Sequence, residues 1–217
     1  MRVCLPDGGR LAATDTSNDR IRFFSPSDLD AQSDRYNYAF RSIGRRDTAP
    51  GDFDRPEGLA TDGTHLFVAD SGNHRVQQLR ISDGRSVDSI GEQGDEPGQL
   101  CFPVGLALVC GSEHGGSSGV LPSNRELAVG NSDRLYVADR GNHRICVFGV
   151  SPLRYLTSFG QQGNFPCYFM FPAGLAVHAG CLYVADLFNR RVQVADLFNR
   201  RVQVLTLDGG FVRAFKV

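Results

Sequence analysis

An all-β fold, made of short antiparallel sheets of four strands each, is what this sequence predicts, and three observations predict it. The apolar runs are about 4–7 residues long, rich in Val, Leu, Tyr and Phe, and bounded by turn residues. No window holds a 3.6-residue period over the roughly 10–12 residues a helix requires. One short pattern, Asp-x-x-Asn-x-Arg followed by a β-branched residue, recurs along the chain.

The pattern reads DTSNDRI from Asp15, DSGNHRV from Asp70, DRGNHRI from Asp139, and DLFNRRV from Asp186 and again from Asp196. The first four aspartates lie 55, 69 and 47 residues apart, the fifth only ten further on. The repeating unit is therefore about 50 residues, and the tandem ten at 185–204 is an intrusion within one unit. Each unit opens on a first strand, as in FDRPEGLA, CFPVGLA and MFPAGLA, whose prolines (Pro56, Pro103, Pro172) sit where a missing N–H costs least. The glycine of GLA suits a strand that another backbone approaches closely. A second strand follows (LFVAD, LYVAD), then the Asp/Asn/Arg reversal, then a third strand (RVQQL, RICVF, RVQV). A fourth closes on SIG or SFG.

Four antiparallel strands repeated radially are the plan of a β-propeller. One domain over 1–217 is expected, with blades near 1–44, 53–91, 101–160 and 170–217. A Gly/Ser-rich insert at 110–126 explains the longest spacing and reads as a flexible loop. Four blades are few for a closed ring, so an open or incomplete propeller is expected, with free sheet edges available for self-association. The second copy of the tandem ten is expected to add a fifth strand to the last blade.

The reversal has a physical logic. Asparagine tolerates the left-handed backbone that a tight reversal needs. Aspartate ending the incoming strand can accept N–H groups across the turn, and arginine opening the next strand can pair through its guanidinium fork with an aspartate, its own or a neighbouring unit's. Asp15, Asn18, Arg20, Asp70, Asn73, Arg75, Asp139, Asn142, Arg144, Asp186, Asn189, Arg191, Asp196, Asn199 and Arg201 are thus structural turn residues before anything else.

The ordered series P-x-G-L-A, LYVAD-x-x-NHR-I/V, SFG resembles the NHL repeat, named for an Asn-His-Leu tripeptide; here Asn73-His74 and Asn142-His143 are followed by arginine. The resemblance covers about residues 3–217. It implies a propeller, commonly six-bladed, that serves as a binding platform. Relatives include the C-terminal domains of tripartite-motif ubiquitin ligases, which bind RNA or protein, and some similar propellers are metal-dependent lyases or hydrolases. The first blade departs from the pattern: it lacks P-x-G-L-A, and its turn reads NDR.

Other features narrow the classes. Formal net charge is −1, so no global basic field favours nucleic acid. The sequence offers no apolar membrane span and no apolar leader at its start, which gives a weak expectation of a cytoplasmic protein. The six cysteines form no C-x-x-C pair. No P-loop, nucleophile elbow or H-E-x-x-H occurs, so no catalytic residue, metal ligand or cofactor is assigned and the chain is expected not to be an enzyme. Arg45, Arg46, Arg190 and Arg200, with Tyr168 and Phe169, are the candidates for a face that meets a partner. The expected role is a protein-interaction scaffold, as in the substrate-recognition part of a ubiquitin-ligase-like protein. An RNA-binding propeller is the alternative, and a metal-dependent lyase or hydrolase a second.

Overall fold

The computed structural model describes residues 3–4, 11–24, 41–109, 133–165, 167–178, 181–186, 188, 201–206 and 211–216. The chain divides into two compact units, Met1–Leu106 and Ala107–Val217. The first holds two sheets. One has β1 (Val3–Cys4), β2 (Leu11–Asp15), β3 (Arg20–Phe24) and β4 (Arg41–Ile43) in sequential order. The other has β5 (Pro56–Thr61), β6 (His65–Asp70), β7 (Arg75–Arg80) and β8 (Ser86–Ile90), also in order. β9 (Pro103–Val109) begins in the first unit and ends in the second, where it edges the sheet of β10 (Arg134–Asp139), β11 (Arg144–Val150) and β12 (Leu153–Phe159). The last sheet runs β13 (Pro172–His178), β14 (Cys181–Asp186), β15 (Arg201–Thr206) and β16 (Phe211–Lys216). Strand pairs within these sheets are antiparallel. Insert 110–126 lies outside the described residues. Among those residues no helix is long and apolar enough to cross a membrane.

Burial explains the strand chemistry. β6 and β7 are buried along nearly their whole length, which suits middle strands covered on both faces. Outermost β8 is largely exposed and reads SVDSI. Between the first two sheets Ala12, Ile21, Phe23, Phe53, Leu66, Val68 and Leu79 form one apolar cluster. Each large side chain buried there contributes about 1.5–3 kcal/mol.

Phe53 enters that cluster from the connector between the sheets, not from a strand. Its ring rests on Gly44, the glycine of SIG: a Cβ there would collide with the ring, and Gly44 has φ +88°. In the second unit the SFG glycine, Gly160, makes the same room for Phe169. Phe169 is therefore fully buried, which removes it from the exposed partner face expected from the sequence. Gly58 of GLA meets the other expectation: a Cβ on it would strike the Val104 carbonyl of β9.

Each reversal is one turn of 3-10 helix, at Thr16–Asn18, Ser71–Asn73 and Arg140–Asn142. The left-handed residue is not the asparagine. It is the next one, Asp19, His74 or His143, at φ 53°, 55° and 57°. Asparagine stays in the turn because its side-chain amide is bonded to the aspartate that opens it.

The expected fifth strand in the last sheet is absent among the described residues. β14 pairs directly with β15, with Asp186 opposite Arg201. In the other sheets the same partners are five residues apart, Asp15 with Arg20, Asp70 with Arg75 and Asp139 with Arg144. The register thus takes Asp186 from the first copy and the outgoing strand from the second, fifteen residues apart in sequence where the other sheets have five. Deleting residues 185–194 should leave the fold intact and stabilise it by about 1 kcal/mol through the shorter loop. Urea unfolding monitored by tyrosine fluorescence would check this; a drop in midpoint would show that the copy does belong to the sheet.

Candidate functional site

The turn aspartates organise the surface at the ends of β6, β10 and β14. Asp70 is fully buried. Its Oδ2 accepts from Arg75 Nε at 2.8 Å, Gln77 Nε2 at 3.0 Å and Asn73 Nδ2 at 3.0 Å. Its Oδ1 accepts the Asp54 N–H at 2.8 Å, while the Gly72 N–H returns to the Asp54 carbonyl at 2.8 Å. The carboxylate thus bonds to the segment leading into its own first strand as well as to the turn.

Arg75 does not present its fork to the carboxylate. Only Nε does so; Nη1 donates to the Thr48 carbonyl at 2.8 Å, and Nη2 to those of Ala49 and Asp52 at 3.1 and 3.2 Å. Gln77 adds a bond to the Asp52 carbonyl and accepts the Gly51 N–H. The ion pair therefore clamps the connector at 48–52. The planar guanidinium makes this possible, since five donors in one plane reach one carboxylate and three carbonyls together.

The other turns repeat the pattern with differences. Asp139 is buried and accepts from Arg144 Nε and Asn142 Nδ2, each at 2.8 Å. Cys146 holds the place of Gln77, its Sγ 3.7 Å from the Asp139 carboxylate. Burial, with that carboxylate beside it, pushes the Cys146 thiol up to about 12. It is a neutral packing group at ordinary pH and not a nucleophile. Asp186 is buried and accepts the Met170 N–H at 2.7 Å, with the Phe188 N–H returning to the Met170 carbonyl at 3.0 Å. Arg201 stands opposite Asp186 in β15, whereas Asn189, Arg191, Asp196 and Asn199 lie outside the described residues. Asp15 is more open; burial raises its pKa, but bonds from Asn18 and Arg20 outweigh that and hold the carboxyl below its ordinary value.

A second junction escaped the sequence reading. The residue after Asn18, Asn73 and Asn142 accepts a backbone N–H from the residue before the first-strand proline of the following sheet. Asp19 Oδ1 takes the Arg55 N–H at 2.8 Å, His74 Nδ1 the Phe102 N–H at 3.2 Å, and His143 Nδ1 the Phe171 N–H at 3.0 Å. All three donors have positive φ, 49°, 48° and 54°, rare for side-chain-bearing residues and doubly so before proline. Each imidazole also packs on its donor's ring, at 4.4 Å between centroids. A signal was present in three of the five turns: Asp19, His74 and His143 can accept a hydrogen bond, whereas Arg190 and Arg200 cannot.

The exposed candidates separate. Arg45 and Arg46 are 78% and 76% exposed, each with an aspartate near, Asp52 at 3.2 Å and Asp54 at 3.9 Å. Tyr168 is half-buried and meets Phe165 edge-on at 5.8 Å; Phe165 is 63% exposed. Arg190 and Arg200 lie outside the described residues. His65 bonds Asp62 at 3.0 Å, and the described residues hold no group of three metal-capable side chains.

The difference in burial gives a stability test. Asp70→Ala strands a mostly buried guanidinium and several N–H groups and should cost about 3–5 kcal/mol. Asp15→Ala removes a solvent-screened pair and should cost about 1 kcal/mol or less. Chemical denaturation of both variants checks the ordering.

The family model of the NHL repeat matches residues 53–79 and 126–148. No curated protein matches the sequence. Among solved structures the chain is similar to Kuenenia stuttgartiensis hydrazine synthase, with TM-score 0.60 and 15% identity over 100% of this chain and 48% of that one. It is similar to a streptogramin B lyase at TM-score 0.58 and 12% identity, over 99% and 53% of the two chains. For Myxococcus xanthus glutaminyl cyclase the values are 0.54 and 12%, over 100% and 70%. The chain spans about half the length of the first two. The expectation that it is not an enzyme is overturned, since a lyase and a cyclase share its fold. A missing familiar motif is no ground for excluding catalysis on this scaffold. The likeness to these structures gives the chain a β-propeller fold, and its stretches 53–79 and 126–148 match the NHL repeat.

Proposed function

We propose that the chain is a binding platform for a protein partner, presented by the connectors between its sheets. What supports this is a constant backbone frame with changing tips. In each connector a parallel bridge joins two residues seven apart, Arg46 with Phe53, Gln93 with Leu100 and Gln162 with Phe169. The N–H of Phe53, Leu100 or Phe169 donates at 2.9 Å to the carbonyl of the residue before that bridge. The tip is then neutral and exposed at Thr48, Ala49 and Pro50, acidic and exposed at Asp95 and Glu96, and aromatic at Phe165. Rigid frames that vary only where solvent meets them are the usual form of a recognition loop.

Phe165 with Tyr168 is the natural anchor of the second unit, because a held aromatic pair buries much area at small entropic cost. The aspartates beside Arg45 and Arg46 offset their charge, which favours protein over RNA as the partner. The resemblance to tripartite-motif propellers extends the proposal to substrate recognition within a ubiquitin-ligase-like protein. The test is quantitative affinity capture from lysate with the wild-type chain and with Phe165→Ala. Specific proteins should be lost by the variant at unchanged Tm. Retention of single-stranded RNA with a steep salt dependence, and of no protein, would replace this reading with the RNA-binding one.

A further inference from the structure

We propose that His74 and His143 are acid-released latches: each imidazole accepts the N–H that leads into the following first strand, and protonating it in mildly acidic solution frees that N–H and loosens the junction. A backbone N–H can only donate, so Nδ1 must be the unprotonated nitrogen and the ring proton must sit on Nε2. The imidazolium has two donors and no acceptor, so the bond and the charge cannot coexist.

The geometry is repeated, which argues against coincidence. The two histidines have the same left-handed backbone, the same acceptor atom, the same pre-proline donor and the same ring contact. The donors Phe102 and Phe171 sit at positive φ before proline, a conformation that persists only while its surroundings impose it. The Asp19 latch onto Arg55 is a built-in control, because a carboxyl oxygen can accept in either protonation state.

Charged neighbours act from several elements. Around His74 these are Asp70 and Arg75 on its own hairpin, Asp54, against which Gly72 of that turn packs, and Arg55 leading into β5. The Arg55 guanidinium lies over the Phe102 ring at 5.5 Å. Around His143 they are Asp139, Arg140 and Arg144 on its hairpin and Asp186 at the end of β14, with Arg140 over the Phe171 ring at 6.0 Å. Burial holds the His143 imidazole below its ordinary 6.5, against the opposing pull of Asp186 and Asp139. The folded state thus favours the neutral ring, and the unfolded chain binds more protons. The contribution is whole above about pH 6.5 and is lost as the pH falls from there through the lower folded value.

The experiment is amide hydrogen exchange on the full chain at pH 7.5 and 5.5, expressed as protection factors. Protection of the Phe102 and Phe171 amides should fall several-fold, up to about tenfold, at the lower pH, and that of Arg55 should hold. In a His74→Asp, His143→Asp variant, which copies the Asp19 latch, the acid sensitivity should vanish. Should that variant not fold, His74→Asn with His143→Asn keeps an uncharged acceptor and should give the same result. Protection of Phe102 and Phe171 that is unchanged at pH 5.5 overturns the proposal, and so does an acid response in a folded variant equal to that of the wild type.

Discussion

A carboxylate taken out of water must be surrounded by donors, and that requirement shapes this protein more than any other. Asp70 ends a strand whose preceding four residues, Leu66 to Ala69, are apolar, and its side chain is fully buried. Every donor that satisfies it comes from a different local structure: the turn amide of Asn73, the outgoing strand through Arg75 and Gln77, and the lead-in segment through the Asp54 N–H. Satisfying one buried charge therefore fixes the reversal, the bond between second and third strands and the path into the first strand together. Such a group gives little net stability over an apolar replacement, but it tolerates few arrangements. It acts as a specifier of geometry, while the apolar cluster around Phe53 supplies the driving force.

The sheets must also be joined to one another, and here the means change. Inner strands approach closely enough that Gly58 has no room for a side chain against Val104. Thr14 and Thr16 of the first sheet donate to the carbonyls of Glu57 and Pro56 at the start of the second. In the second unit β13 packs against β10. To these contacts the fold adds the latch from the left-handed turn residue to the strained residue before proline. The strain at Arg55, Phe102 and Phe171 is the cost of leading each connector sharply into a strand that begins with proline, and the latch offsets it with one directed bond.

Much of this was legible in the sequence because it is written as local chemistry. The proline that opens β5, β9 and β13, the alternation of short strands with turns, and the pairing of Asp70 with its own Arg75 follow from residue type and spacing. What was not legible depends on which atoms meet at long range. Asn73 and His74 both suit a left-handed turn, and only the bond from Asn73 to Asp70 decides between them. The tandem ten offered two equivalent outgoing strands, and β14 pairs with the second. Arg75 could have forked onto its aspartate, but the connector carbonyls lay within reach of its outer nitrogens.

The same logic bounds how far the repeats can vary. The position two residues beyond the turn arginine is Arg22, Gln77 and Cys146 in the first three sheets, and Gln203 in the fourth. At Gln77 the side chain reaches both the buried carboxylate and the connector. At Cys146 only a weak thiol donor faces Asp139, yet the Asp/Asn/Arg geometry is unchanged. At Arg22 a second cation favours the ionised form of the more open Asp15. The carboxylate and the turn amide and guanidinium that serve it are held in all three, while their auxiliary donor is free to change. The connector tips vary for the same reason: their shared frame is a backbone bridge that does not depend on their side chains.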